Sequence, residues 1–220
     1  MILQGSDLMA RPSALGLIMG GRTDEELTQT AKNWAEEQFL VSHDRMEPSF
    51  QGNKYTKKGW DVEDSAIDDY VKYTGVERVI KNEERFENEI IGGTPDVLLM
   101  DGKTVVDIKS PWSHVQFNKY ASFEPHGKYP CPSASYFWQL QAYMWLTGRD
   151  YAELAYVLMN TPQNLLETYD GWVDYEGQYP LEKRVKIFGF ERSNSHIIRI
   201  EKKVKLLRDY LDLVIIPYYT

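Results

Sequence analysis

Apolar residues recur at helical spacing in four stretches of the chain. Thr23-Asp24-Glu25-Glu26 has the form of a capping box, and Leu27, Ala31, Trp34 and Ala35 follow at intervals of three and four, which predicts a helix to about Phe39. Between Gly59 and Thr74 the stripe is Val62, Ala66, Ile67, Tyr70 and Val71, closed by Gly75 as a C-terminal glycine; Glu63 then falls in the first turn. A third helix is expected over Ser135–Thr147 through Phe137, Leu140 and Met144, ending at Gly148, and a fourth from about Ser195 with the stripe Ile197, Ile200, Val204, Leu207, Leu211 and Val214. Strands are expected roughly over Val76–Ile91, where the pattern is weaker, then over Asp96–Met100 and Lys103–Lys109, joined by Asp101-Gly102, and over Ala152–Met159 and Arg184–Phe190, both rich in β-formers. The stretches 111–134 and 160–180 have no clear period and read as long loops. No repeat or low-complexity linker divides the chain. The expectation is one α/β (α+β) domain over residues 1–220, a central mixed β-sheet flanked by helices.

Composition narrows the chemistry. With 25 Lys+Arg against 33 Asp+Glu the formal charge is -8, so binding to a polyanion by a broadly basic surface is excluded, and any contact with nucleic acid must be local. No apolar run approaches the roughly 20 residues of a membrane span, and Gln4, Asp7, Arg11 and Pro12 interrupt the N-terminal apolar stretches where a signal peptide needs continuity. A cytosolic protein with no membrane partner is expected. The single cysteine, Cys131, precludes an intramolecular disulfide and any Cys-cluster metal site, and reads as a buried or idle thiol. The histidines at 43, 114, 126 and 196 lie far apart, so a metal would have to be held by oxygen. Gly20-Gly21 and Gly92-Gly93 lack the context of a phosphate loop and read as turns.

Asp101-Gly102 between two apolar runs is a strong hairpin signal, since a two-residue type I′ turn needs positive φ at both central positions. Such a turn sets Leu98 against Val105, Val97 against Val106 and Asp96 against Asp107. Like charges about 4.5–5.5 Å apart across a sheet destabilise it, and a shared divalent cation reverses that sign. Lys109 lies two residues beyond Asp107 and so points to the same face of its strand. An ammonium there can orient a water or stabilise charge developing on a phosphate. By spacing alone, the same residues also describe an exposed hairpin with scattered acids and a salt-bridging lysine. Glu63 alone is accounted for by a helix dipole, and Gln139 by a core glutamine bonded to backbone.

The ordered set decides between these readings. Gly59-Trp60-Asp61-Val62-Glu63 on a helix, Thr94-Pro95-Asp96, Asp107-Ile108-Lys109-Ser110-Pro111, and Tyr136-Phe137-Trp138-Gln139-Leu140-Gln141-Ala142-Tyr143-Met144 together closely resemble the PD-(D/E)XK nucleases, and within them the YqaJ-type viral recombinase family that includes phage λ exonuclease. The resemblance runs from about Arg11 to Leu211 and implies a restriction-endonuclease-like core. It implies that Asp96 and Asp107 are the metal-binding carboxylates, that Lys109 is the catalytic lysine, that Glu63 completes the metal site, and that the backbone carbonyl of Ile108 is a further ligand. Gln139 corresponds to the glutamine that faces the active site in this branch. The implied ion is Mg²⁺, with Mn²⁺ as a substitute. Asp107 stands where λ-like members usually carry Glu, and Asp96 is followed by Val rather than Gly.

The same resemblance implies a phage or prophage protein in a bacterial cytoplasm that digests linear double-stranded DNA from its ends, 5′ to 3′, for a single-strand annealing partner, and that assembles as a ring trimer. Arg11 and Ser13 are similar to the segment that receives the DNA 5′ phosphate, although a surface arginine and an N-cap serine describe them as well. Lys54, Lys57 and Lys58, then Lys183, Arg184 and Lys186, then Lys202, Lys203, Lys205 and Arg208 are candidate local DNA contacts, and Trp112, Phe117 and Tyr120 are candidates to wedge or stack on bases. The alternatives are another PD-(D/E)XK nuclease, RecB-like or an endonuclease, and a catalytically silent DNA-binding scaffold.

Overall fold

The computed structural model describes residues 3–44, 52–77, 79–125, 128–168 and 170–219; His126 lies outside them. In chain order the helices are α1 (Leu15–Ile18), α2 (Gln29–His43), α3 (Lys54–Thr74), α4 (His114–Ala121), α5 (Ala134–Thr147), α6 (Tyr175–Gln178), α7 (Asn194–Tyr210) and α8 (Ile216–Tyr219). The strands are β1 (Val79–Lys81), β2 (Phe86–Glu87), β3 (Gly92–Gly93), β4 (Val97–Leu99), β5 (Thr104–Lys109), β6 (Tyr151–Val157) and β7 (Val185–Glu191). Five of them form a mixed sheet in the order β1-β4-β5-β6-β7, in which only β5 and β6 run parallel. This is the α/β layout expected, a central mixed sheet with helices on both faces.

β5 lies between β4 and β6 and is buried over Thr104–Ile108, which is why its sequence reads as a continuous apolar run with one aspartate. Its period of two still sorts the faces. Val105 packs with α1, α2, α5 and α7 in the larger core, and Val106 and Ile108 pack under α3 with Val62, Ala66 and Tyr70 in the smaller one. Asp107 and Lys109 therefore face the α5 side, whereas Glu63 arrives on the helix of the opposite side.

The hairpin register is the one expected, with Val97 opposite Val106 and Leu98 opposite Val105. The turn chemistry differs. Gly102, at φ 70°, donates its N–H to the Leu99 carbonyl, and the Asp101 carboxylate accepts from the N–H groups of Lys103 and Thr104. The expected strand over 76–91 breaks at Asn82, whose side-chain amide donates to the carbonyls of Glu84 and Pro95. Beyond that break the chain forms the small β2-β3 pair, so Gly92-Gly93 is a strand rather than a turn. A Cβ on Gly93 would stand 2.7 Å from Pro12 Cδ, and glycine is what lets the N-terminal segment pack there.

Several boundaries move for electrostatic reasons. The first long helix starts at Gln29, capped by the Thr28 side chain, because the expected capping box has other partners: Asp24 pairs with Arg199, Glu25 with Lys202, and the carbonyls of Gly20, Thr23 and Glu26 cage the buried ammonium of Lys203. Asn53 caps α3, which begins at Lys54 and places Glu63 well inside the helix rather than in its first turn. The chain from 111 to 134 contains α4, a short helix with Phe117 as its one buried residue and too brief to show a period. A π-helical turn over Leu211–Ile215 adds a residue of phase after α7, so Ile215 is buried and Val214, expected in the stripe, is exposed.

Lys58 is 0% exposed, and its ammonium donates to the carbonyls of Pro111 (2.7 Å), Trp112 (3.2 Å) and Met159 (2.8 Å). It ties α3 to the segments that leave β5 and β6. Lys58→Met keeps the stem but leaves buried carbonyls without a donor, and it is expected to lower stability by about 1–3 kcal/mol in chemical denaturation. An unchanged midpoint would contradict this role.

Candidate active site

The end of β5 delivers the site. Asp107 is 0% exposed, Lys109 Nζ lies 2.6 Å from Asp107 Oδ2 and 3.9 Å from Asp96 Oδ2, and the Ile108 N–H donates to Asp96 Oδ2 at 2.9 Å. The two aspartates and the lysine expected to act together are thus within one ion-pair network. Gln139 of α5 donates from Nε2 to Asp107 Oδ1 at 2.8 Å, which fixes that carboxylate from the helix side. The segment before Asp96 is held by Tyr143, whose hydroxyl donates to the Thr94 carbonyl, and by Asn82 on the Pro95 carbonyl.

A cavity of about 370 Å³ opens at this point, lined among others by Glu63, Asp96, Ile108, Lys109, Trp112 and Tyr136. Lys109 Nζ stands 5.2 Å from the Tyr136 ring centroid. Glu63 reaches the cavity, but its carboxylate pairs with Lys81 at 3.2 Å rather than joining the aspartates. Accordingly, no group of three metal-ligating side chains forms among the described residues. Arg11 and Ser13 are exposed on the N-terminal segment and do not line this cavity. Trp112 does, with its ring edge-on to Tyr55 at 5.1 Å.

Most other suggested DNA contacts are committed elsewhere. Phe117 is buried in the core and cannot wedge a base pair, whereas Tyr120, half-buried and stacked on Tyr156 at 4.5 Å, lines the cavity. Lys58 and Lys203 are caged by carbonyls, and Arg184 is buried against Asp69 at 2.7 Å. Arg208 donates to the Leu8 and Glu89 carbonyls, and Lys205 pairs with Glu201. The basic residues were legible, but their distant partners were not. Lys81 and Asn82 carry no signal in the sequence as a lone Lys and Asn, and Tyr136 and Tyr143 stand in the helix motif without a role that spacing assigns, among the many aromatic residues of that helix.

Burial pushes the Asp107 carboxyl up, Lys109 opposes that, and Asp96 adds to it, leaving a value well above the usual carboxylate range. Burial alone would lower the Lys109 ammonium, but the two carboxylates outweigh it and raise it, so Lys109 stays protonated and serves as a donor. Asp107 Oδ2 is buried, with the Lys109 ammonium at 2.6 Å as its close partner. A buried carboxylate, a second carboxylate and the adjacent Ile108 carbonyl make an all-oxygen donor set of the kind that suits Mg²⁺ or Mn²⁺. The residues present fit such an ion.

A folded-state carboxyl value above the unfolded one means that the native protein holds the extra proton. Stability without metal therefore declines as pH rises through the raised value. A cation that replaces this proton has the opposite dependence. The rise in unfolding midpoint on adding Mg²⁺ at ten times its dissociation constant is expected to be roughly 3–6 °C, from about 1.4 kcal/mol of linkage, and to shrink as pH is lowered through the Asp107 titration. Thermal unfolding with and without Mg²⁺ across pH checks it; a shift independent of pH would contradict it.

A mixed sheet that brings Asp96 and Lys109 to one cavity and buries Asp107 against that lysine, flanked by helices on both faces, is the arrangement of the PD-(D/E)XK nuclease fold. The YqaJ-like viral recombinase domain matches residues 13–150, and the chain belongs to that family. A phage-related exonuclease from Haemophilus somnus 129PT is 31% identical and superimposes with a TM-score of 0.85, covering 96% of each chain. The alkaline exonuclease LHK-Exo from Laribacter hongkongensis shares the fold at 19% identity, with a TM-score of 0.66 over 96% of this chain and 91% of that one. No match is found among curated proteins. Among the described residues no helix is long and apolar enough to cross a membrane.

Proposed function

We propose that this protein is a Mg²⁺-dependent exodeoxyribonuclease that digests linear double-stranded DNA 5′ to 3′ and leaves a 3′ strand for a single-strand annealing protein. The observation that carries the reading is the meeting of Asp96, Ile108 and Lys109 on one wall of a cavity, with Asp107 buried against Lys109 at 2.6 Å, in a chain 31% identical to a phage-related exonuclease. Asp96, Asp107 and the Ile108 carbonyl would hold the ion, with Glu63 joining once released from Lys81. Mn²⁺ would substitute. The ion, when bound, would lower the pKa of a water and offset charge on the scissile phosphate.

The chain's own groups do the rest. Gln139 fixes Asp107 Oδ1, so the carboxylate presents its second oxygen at constant orientation. The Ile108 N–H does the same for Asp96. Lys109, held charged, is a hydrogen-bond donor at the cavity wall, where it can engage a phosphate oxygen or orient the attacking water; it is not the general base. Family membership supports a ring trimer acting on DNA ends in the cytoplasm of a bacterial host, with Arg11 and Ser13 taking the 5′ phosphate outside the cavity described above. These are parts of the same proposal.

Linear and covalently closed circular duplexes of one sequence, the linear one labelled at its 5′ or its 3′ end, test it. Loss of 5′ label first from the linear molecule, with the circle intact, is expected. Cleavage of the circle would make the protein an endonuclease of the same fold, and loss of 3′ label first would reverse the polarity.

A further inference from the structure

One part of the cavity takes no share in holding an ion or a phosphate. Tyr55 and Trp60, both on α3, are 56% and 61% exposed, line the same cavity as Asp96 and Lys109, and flank Gly59. Gly59 lines the cavity between them in sequence, and a Cβ there would meet nothing within 4 Å outside its chain neighbours, so no other side chain covers the helix at that point. Trp112 stands edge-on to Tyr55 and completes an aromatic rim. Its backbone is fixed from below: the Trp112 carbonyl accepts from Lys58, whose buried ammonium has carbonyls as its hydrogen-bond partners, and from the Thr161 hydroxyl. Leaving a tryptophan and a tyrosine this exposed forgoes the burial that large aromatic side chains usually obtain. Here they surround a polar cavity with a lysine at its wall.

We propose that Tyr55, Trp60 and Trp112 form a nucleobase clamp that stacks the bases flanking the phosphodiester presented to Lys109. This rests on the nuclease reading for the identity of its ligand. A phosphodiester at Lys109 carries its neighbouring bases to the cavity mouth, and every base offers a π-face, so stacking there is tolerant of sequence, as digestion of arbitrary DNA requires. It also gives an acidic protein a means of holding a polyanion without a basic surface.

The test is binding, read by fluorescence anisotropy in EDTA, of a 5′-phosphorylated duplex with two unpaired 5′ nucleotides, compared with the same duplex carrying abasic residues at those two positions. Digestion of both substrates in Mg²⁺ is followed in parallel. Wild type is expected to bind the intact end at least tenfold more tightly than the abasic end. Trp60→Ala and Tyr55→Ala should each lose most of that preference, with circular dichroism confirming that they fold. Equal affinity of wild type for both ends, or variants that retain the tenfold preference, would overturn the clamp; the latter result would point to a rim that contacts a protein. A base preference that depends on Trp60 in a protein that never digests DNA would sustain the clamp and refute the nuclease. Digestion with no such preference would do the reverse.

Discussion

Asp107→Asn is expected to lower digestion of linear duplex DNA by on the order of a thousandfold, comparable with the loss when a preorganised charge at a reacting centre is removed. The side chain is 0% exposed in the central strand of the sheet, and an amide of the same shape can still accept from Gln139. The substitution therefore removes charge and little else. The buried carboxylate's desolvation cost disappears with it, while Lys109 keeps Asp96 as a partner. A folded, cooperative protein with no Mg²⁺-dependent rise in midpoint is the expected result, checked by nucleotide release from labelled duplex and by thermal unfolding. A variant that digests DNA at the wild-type rate would remove Asp107 from the chemistry.

Lys109→Met acts on the other half of the pair and has a different signature. It strands Asp107 in an apolar setting without the ammonium at 2.6 Å. Breaking a buried pair from one side costs about 3–5 kcal/mol, less whatever Asp107 recovers by taking up a proton. In EDTA the variant is expected to be destabilised by roughly 2–4 kcal/mol. Mg²⁺ brings positive charge to the same oxygen, so the metal should restore more stability to Lys109→Met than it adds to wild type, while digestion stays depressed by on the order of a hundredfold or more for want of the donor. Destabilisation that Mg²⁺ does not reverse would mean that no ion sits on Asp107.

The contrast between these variants depends on features that the sequence disclosed unevenly. The hairpin register was legible because Asp101-Gly102 has few alternatives between apolar runs, and pairing Val97 with Val106 leaves Asp96 and Asp107 next along the two strands. Period two then put Lys109 beside Asp107. Gly75 and Gly148 marked helix ends, both with positive φ. What stayed illegible depends on distant backbone. A lysine in a polar run looks solvated, yet Lys58 and Lys203 are enclosed by carbonyls from segments far away in sequence. The capping box at Thr23 is locally sound and loses to α7, whose Arg199 and Lys202 claim its acids. Glu63 was placed on the correct helix, but Lys81, on a strand that the sequence barely outlined, determines where its carboxylate rests. The formal charge of -8 likewise describes the whole chain and says little about a site in which Lys109 pairs with the buried Asp107 and Lys81 with Glu63.

The central claim is that this cavity hydrolyses DNA phosphodiesters with the help of a divalent ion. Its most direct test is digestion of a 5′-phosphorylated linear duplex by the wild-type protein, with Mg²⁺ and with EDTA in its place, scored by release of acid-soluble nucleotide. Release in Mg²⁺ and none in EDTA is the result predicted. Equal release in EDTA, or intact duplex in Mg²⁺, would contradict it.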